Sequence, residues 1–161
     1  MDLTYVLNFL SEFAYLLIVF SALLFFSIAK GRQAIMNLTV GLYLALLISI
    51  QFPGYDRLFS SLESAQSLAA AKLLFFFFIT LFTTLLCWRI MPDEFQEKKF
   101  ESFGKKLFVT TGATILIMSF SFQVLPVTEL LTPGTPLQSL FAPEVYFFWW
   151  LLVPLVILYI V

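Results

Sequence analysis

The spacing of charges constrains this chain more than any other feature. Between Glu12 and Lys30 lie 17 uncharged residues, between Arg32 and Asp56 there are 23, and between Lys106 and Glu129 there are 22. Phe, Leu, Ile and Val fill these gaps, and a hydrocarbon core about 30 Å thick needs roughly 20 apolar residues in helix. A helix satisfies its own backbone hydrogen bonds without water, so uninterrupted apolar runs of this length read as spanning helices. The expected fold is therefore all-α, a polytopic transmembrane helical bundle forming a single integral membrane domain over 1–161. Charged residues make up 12% of the chain, against about 25% in soluble domains. With a formal net charge of -1, it has no basic field to gather nucleic acid.

Five spans are predicted, at about 3–29, 34–52, 69–88, 107–125 and 144–161. Pro53-Gly54 stops the second, Arg89 and Pro92 the third, and Pro126 the fourth. The fifth, EVYFFWWLLVPLVILYIV, contains Pro154, so a kinked or re-entrant segment is an open alternative there. Residues 55–68 read as an amphipathic segment on the outer surface, from Leu58, Leu62, Ala65 and Ala69 at helical spacing. Residues 89–106 read as a charged cytoplasmic linker with i,i+4 pairs Glu94–Lys98 and Glu101–Lys105. The segment 127–143, with Pro133-Gly134 and Pro136, reads as irregular.

Five spans place Lys30, Arg32, Arg89, Lys98, Lys99, Lys105 and Lys106 on one side, and only Arg57 and the membrane-edge Lys72 on the other. Basic loops are retained in the cytoplasm, so the N-terminus is expected outside and the C-terminus in the cytoplasm. A cleaved signal peptide is not expected, because a basic leader and a small-residue cleavage site are both missing. Tyr146, Trp149 and Trp150 open the fifth span as an outer aromatic belt would.

The chain has no His and one cysteine, Cys87. An internal disulfide, a CxxC redox pair, a Ser-His protease and His-ligated haem are thereby excluded. No phosphate loop or metal motif is present, and the expectation is a non-enzymatic protein without a cofactor or metal.

Ionisable residues inside spans are the first place to look for function. Glu12 precedes Lys30 by 18 residues and Lys72 precedes Arg89 by 17. Both therefore sit about 26 Å from the basic boundary at about 1.5 Å per residue. Three readings follow from this shared depth. Glu12 and Lys72 form an ion pair joining spans one and three, or Lys72 snorkels outward beside a hydrated Glu12, or the two serve a proton or substrate path. In the second span, Asn37, Gly41, Ala45 and Ser49 recur every four residues and make a stripe for close helix packing. In the fourth, Gly112, Ser119 and Gln123 share roughly one side, and the Ser and Thr hydroxyls can bond back to their own helix. Both groups are expected to pack helices, with a polar conduit as the alternative.

The order of features resembles the colicin V production protein family of bacterial inner-membrane proteins over about residues 7–126. The residues that carry it are the basic turn Lys30-Gly31-Arg32 after span one, the small-residue second span, and Phe103-Gly104 leading to Gly112 in span four. The resemblance implies an accessory protein of the bacterial cytoplasmic membrane associated with envelope integrity and secretion, and no catalytic residues. The expected function is thus an accessory or assembly subunit working by helix packing in that membrane. Its expected partners are the lipid bilayer and either another membrane protein or further copies of itself. A small oligomeric carrier or channel, with a polar path along spans one, three and four, is the rival. A lipid-modifying enzyme built on Glu12 and nearby hydroxyls is a third reading.

Overall fold

A computed structural model describes residues 3–54, 64–91, 103–123, 136–141 and 143–161. All of the regular structure among them is helical: α1 (Leu3–Lys30), α2 (Arg32–Gln51), α3 (Ala65–Ile90), α4 (Phe103–Gln123), the short α5 (Pro136–Phe141) and α6 (Glu144–Ile160). Three are long and apolar enough to cross a membrane, over Phe13–Lys30, Arg32–Gln51 and Ser67–Ile90. Of the others, α4 opens on Lys105 and Lys106 and carries Thr and Ser through its length, and α6 has 17 residues.

Local chemistry explains the boundaries. Gly31 has φ +90, a left-handed value that a side chain would strain, and its N–H closes α1 on the Ser27 carbonyl at 2.9 Å. One glycine thus turns the chain back, and α2 runs antiparallel beside α1. The third helix begins four residues before the predicted 69, because Ser64 caps it by accepting from the Ser67 N–H at 3.1 Å. Within the stretch expected to be irregular, residues 136–141 form α5, with Pro136 at its first position, where a missing N–H costs nothing. Pro154 is accommodated inside α6, which is continuous from Glu144 to Ile160. Residues 55–63 of the outer segment and 92–102 of the linker, with Lys98 and Lys99, lie outside the described residues.

The bundle is built on α4, which packs against α1, α2, α5 and α6, while α3 packs extensively on α2 alone. Leu42, Ala45 and Leu46 of α2 meet Phe76 of α3 and Leu116 and Phe120 of α4 in one core. There the Phe76 and Phe120 rings stand edge to face with centroids 6.0 Å apart. A second core joins Leu23, Ile35, Val109 and Ala113, and a third joins Met118, Phe122 and Phe141. Outside these cores the surface is apolar: Ile18, Phe25, Phe78, Phe82, Phe148 and Ile160 are all largely exposed. In water such a surface would aggregate, whereas in hydrocarbon it is solvated.

Lys30 ends α1, Arg32 begins α2, Arg89 closes α3, and Lys105 and Lys106 open α4. The end of α6 joins them, for the Arg32 Nη1 donates to the Val161 carbonyl at 2.7 Å. The bundle therefore has a basic end and an opposite end that carries the aromatic start of α6.

Candidate functional site: the α2–α3 seam and an apolar cleft

Among the described helical glycines, Gly41 has the closest neighbour. A Cβ placed on Gly41 would come within 2.5 Å of the Thr84 Oγ1, 2.9 Å of the Thr84 backbone N and 3.0 Å of its Cα. Glycine is required there by close backbone approach. The approach brings Thr83 Oγ1 within 2.8 Å of the Gly41 carbonyl, to which it donates across the helices. Its own-helix acceptors, the carbonyls of Ile79 and Thr80, lie at 2.9 and 3.1 Å. A hydroxyl has one proton to share among the three, and the interhelical acceptor is the nearest. Ala45 is fully buried on the same stripe, and Ser49 is buried one turn further. Asn37, also fully buried, accepts from Gln33 Nε2 at 3.2 Å, and its own Nδ2 has no hydrogen-bond partner. The stripe Asn37, Gly41, Ala45 and Ser49 is thus consumed inside the chain, most of it against α3.

Most hydroxyls of α4 bond to their own backbone, with the buried Thr110 as the exception. Thr114 Oγ1 donates to the Thr110 carbonyl, Ser119 Oγ to Ile115 and Ser121 Oγ to Ile117, all at 2.8 to 2.9 Å. These are the local back-bonds that let hydroxyl side chains sit in a helix without water. Gly112 faces α6, where a Cβ would meet the Ile157 side chain at 3.3 Å and the Pro154 Cα at 3.5 Å. The side chain of Gln123 is outside the described residues.

Two contacts of α6 escaped sequence reasoning. Tyr43 of α2 donates its hydroxyl to the Leu151 carbonyl. That carbonyl lies in the turn before Pro154, where a missing N–H and the bulk of the ring disturb the helical ladder. Trp150 Nε1 donates to the Leu140 carbonyl at 3.0 Å and its ring lies 4.9 Å from that of Phe141, so this tryptophan ties α5 to α6. Tyr146 and Trp149, by contrast, are exposed. Pro154 in an apolar helix was the available signal for the first contact; nothing local marked the second.

Between α1, α2, α3 and α4 lies a cleft of about 290 Å³. Leu38, Leu42, Leu73, Phe76, Phe77, Ile117 and Phe120 give it an almost wholly apolar lining. Three hydroxyls reach it, those of Tyr15, Thr80 and Ser121. Tyr15 and Ser121 bond to each other at 3.0 Å across α1 and α4. Because the Ser121 proton goes to Ile117, Tyr15 is the donor of that pair. Thr80 Oγ1 is buried without a hydrogen-bond partner. Tyr15 follows Glu12 by three residues on α1, and Leu73 follows Lys72 directly on α3. The cleft thus begins at the level of the two intraspan charges, at the end away from the basic residues. Lys72 is half-buried and has no partner among the described residues, and the Glu12 side chain lies outside them.

Comparison with known protein families, with characterised proteins and with solved structures finds no match. The class that the fold defines is therefore the broad one, an all-helical protein with three helices able to cross a membrane.

Proposed function

We propose that this chain is a five-span accessory or assembly subunit of a bacterial cytoplasmic membrane, working by helix packing and not by chemistry. In this reading α4 and α6 cross the bilayer beside α1, α2 and α3, the basic end faces the cytoplasm, and the N-terminus is external. The grouping of Lys30, Arg32, Arg89, Lys105 and Lys106 at one end supports that orientation. The colicin V production protein resemblance fits the same role.

The observation that carries the proposal is the state of α3. It packs extensively on one neighbour only, and Phe78, Phe82 and Leu85 leave a continuous apolar face on its outer side. An apolar face meets lipid by default, but a helix held by one seam is also the natural place for another subunit's helix to pack. Affinity capture from native membranes in mild detergent, followed by mass spectrometry, tests this. A stoichiometric integral-membrane partner is expected, and it is expected to be lost when Phe78, Phe82 and Leu85 are all replaced by Ala. Recovery of the chain alone, as a monomer, rejects the proposal.

One observation favours the carrier or channel as second reading. Ser27 Oγ, Asn37 Nδ2, Thr80 Oγ1, Thr84 Oγ1 and Thr110 Oγ1, on four different helices, are buried without partners among the described residues, and such groups ask for water or a ligand. Reconstituted vesicles whose ion or metabolite flux disappears in Glu12→Gln and Lys72→Met would support it.

A further inference from the structure

We infer that the cleft holds one acyl chain of a phospholipid drawn from the leaflet at the non-basic end, with the lipid phosphate on Lys72. The inference goes beyond the assembly role and does not depend on it.

The argument starts from size and place. At about 30 Å³ for a water-sized group, the 290 Å³ cleft has room for roughly ten such groups, the bulk of much of an acyl chain. A partner helix is excluded, because with side chains it is about 10 to 12 Å across. An apolar cavity does not fill with water, and left empty it forfeits the dispersion contacts of every group on its walls. Both α1 and α3 line the cleft and make no extensive contact with each other among the described residues, and what lies beside such a gap in a bilayer is hydrocarbon.

The headgroup argument rests on register. Leu73, Phe76, Phe77 and Thr80 line the cleft at i, i+3, i+4 and i+7, one face of α3. Lys72 precedes Phe76 by four residues, one turn further out on the flank of that face. Its Cα–Cβ bond leans towards the start of the helix, which is the membrane edge, and its aliphatic stem can follow the apolar wall to that level. An ammonium without a partner among the described residues, at the outer end of an apolar slot, is complementary to a phosphate whose chain fills the slot.

The test uses the full chain exchanged into bilayers of phosphatidylethanolamine and phosphatidylglycerol at a molar ratio of about 3:1, a phosphate-headed mixture. Native mass spectrometry after gentle release counts the lipid retained. One phospholipid per chain is expected, of either kind, since the phosphate is common to both. Thr80→Phe, which fills the inner part of the cleft, is expected to lower retention about tenfold, and Lys72→Met about fivefold, the range of one charge-assisted contact. Thr80→Val keeps shape and removes the hydroxyl, and it is expected to retain lipid as well as the wild type. Lys72 lies at the membrane edge, so Lys72→Met decides the matter even if Thr80→Phe impairs folding. The inference is overturned by a wild type that holds no phospholipid, or by Lys72→Met that holds it undiminished. Diacylglycerol retained as well as phospholipid removes the role of Lys72. Retention lost in Thr80→Val puts a polar ligand in the cleft in place of an acyl chain.

Discussion

At the residue scale, the two helical glycines that face neighbours differ in what surrounds them. Gly41 meets the Thr84 backbone, which cannot move without shifting α3, whereas Gly112 meets mainly the flexible end of Ile157. Gly41→Ala is therefore expected to destabilise the bundle by about 1–3 kcal/mol, the usual range for overpacking. Gly112→Ala is expected to stay within about 0.5 kcal/mol, because Ile157 can give by a few tenths of an ångström and Ala is the better helix former. Reversible unfolding in mixed micelles measures both, and equal losses would reject the distinction. Thr83→Val removes the donor to the Gly41 carbonyl without changing shape. Its expected cost is about 0.6 kcal/mol and at most about 2, as for other hydrogen bonds between membrane helices.

At the element scale, α6 is held by two different devices. Apolar packing joins it to α4 around Gly112, and the Tyr43 hydroxyl fastens it to α2 at a carbonyl beside Pro154. Tyr43→Phe leaves the ring in place and removes only the bond, so a loss of about 1 kcal/mol is expected. The loss should fall on α6 selectively. Hydrogen exchange of the amides just before Pro154 should quicken while those of α2 and α3 keep their protection, and uniform quickening along the chain would contradict this. The connection also bears on what could be read in advance. Pro154 announced a disturbed helix, but nothing along α6 said that a tyrosine 108 residues away would bond the Leu151 carbonyl in the turn before it. The third helix shows the converse: four consecutive Phe, Phe75–Phe78, cover every side of a helix, and Phe77 and Phe78 are exposed while only Phe76 of the four is buried in the core.

At the scale of the whole molecule, topology is the quantity to measure. Cys87 is the sole cysteine and is buried, so Cys87→Ser gives a background for single-cysteine labelling. In that background Lys30→Cys and Lys105→Cys should be protected from an impermeant maleimide in intact cells, and Tyr146→Cys should react. Labelling of Lys30→Cys and Tyr146→Cys from the same side would refute the five-span arrangement. The chain's local sequence settled its helical class, its apolar exterior and the grouping of its cations, because each depends on residues close in sequence and on their free energy in hydrocarbon. Periodicity also marked Gly41 and Ala45 as packing residues. It could not say that their partner is α3 of the same chain, nor that Thr110, alone among the buried hydroxyls of α4, makes no bond back to its own helix. It gave no sign of the cleft, whose walls come from four helices. Those choices fall to tertiary structure, because backbone approach, a shared hydrogen bond and an unfilled volume exist only between elements and have no value along one.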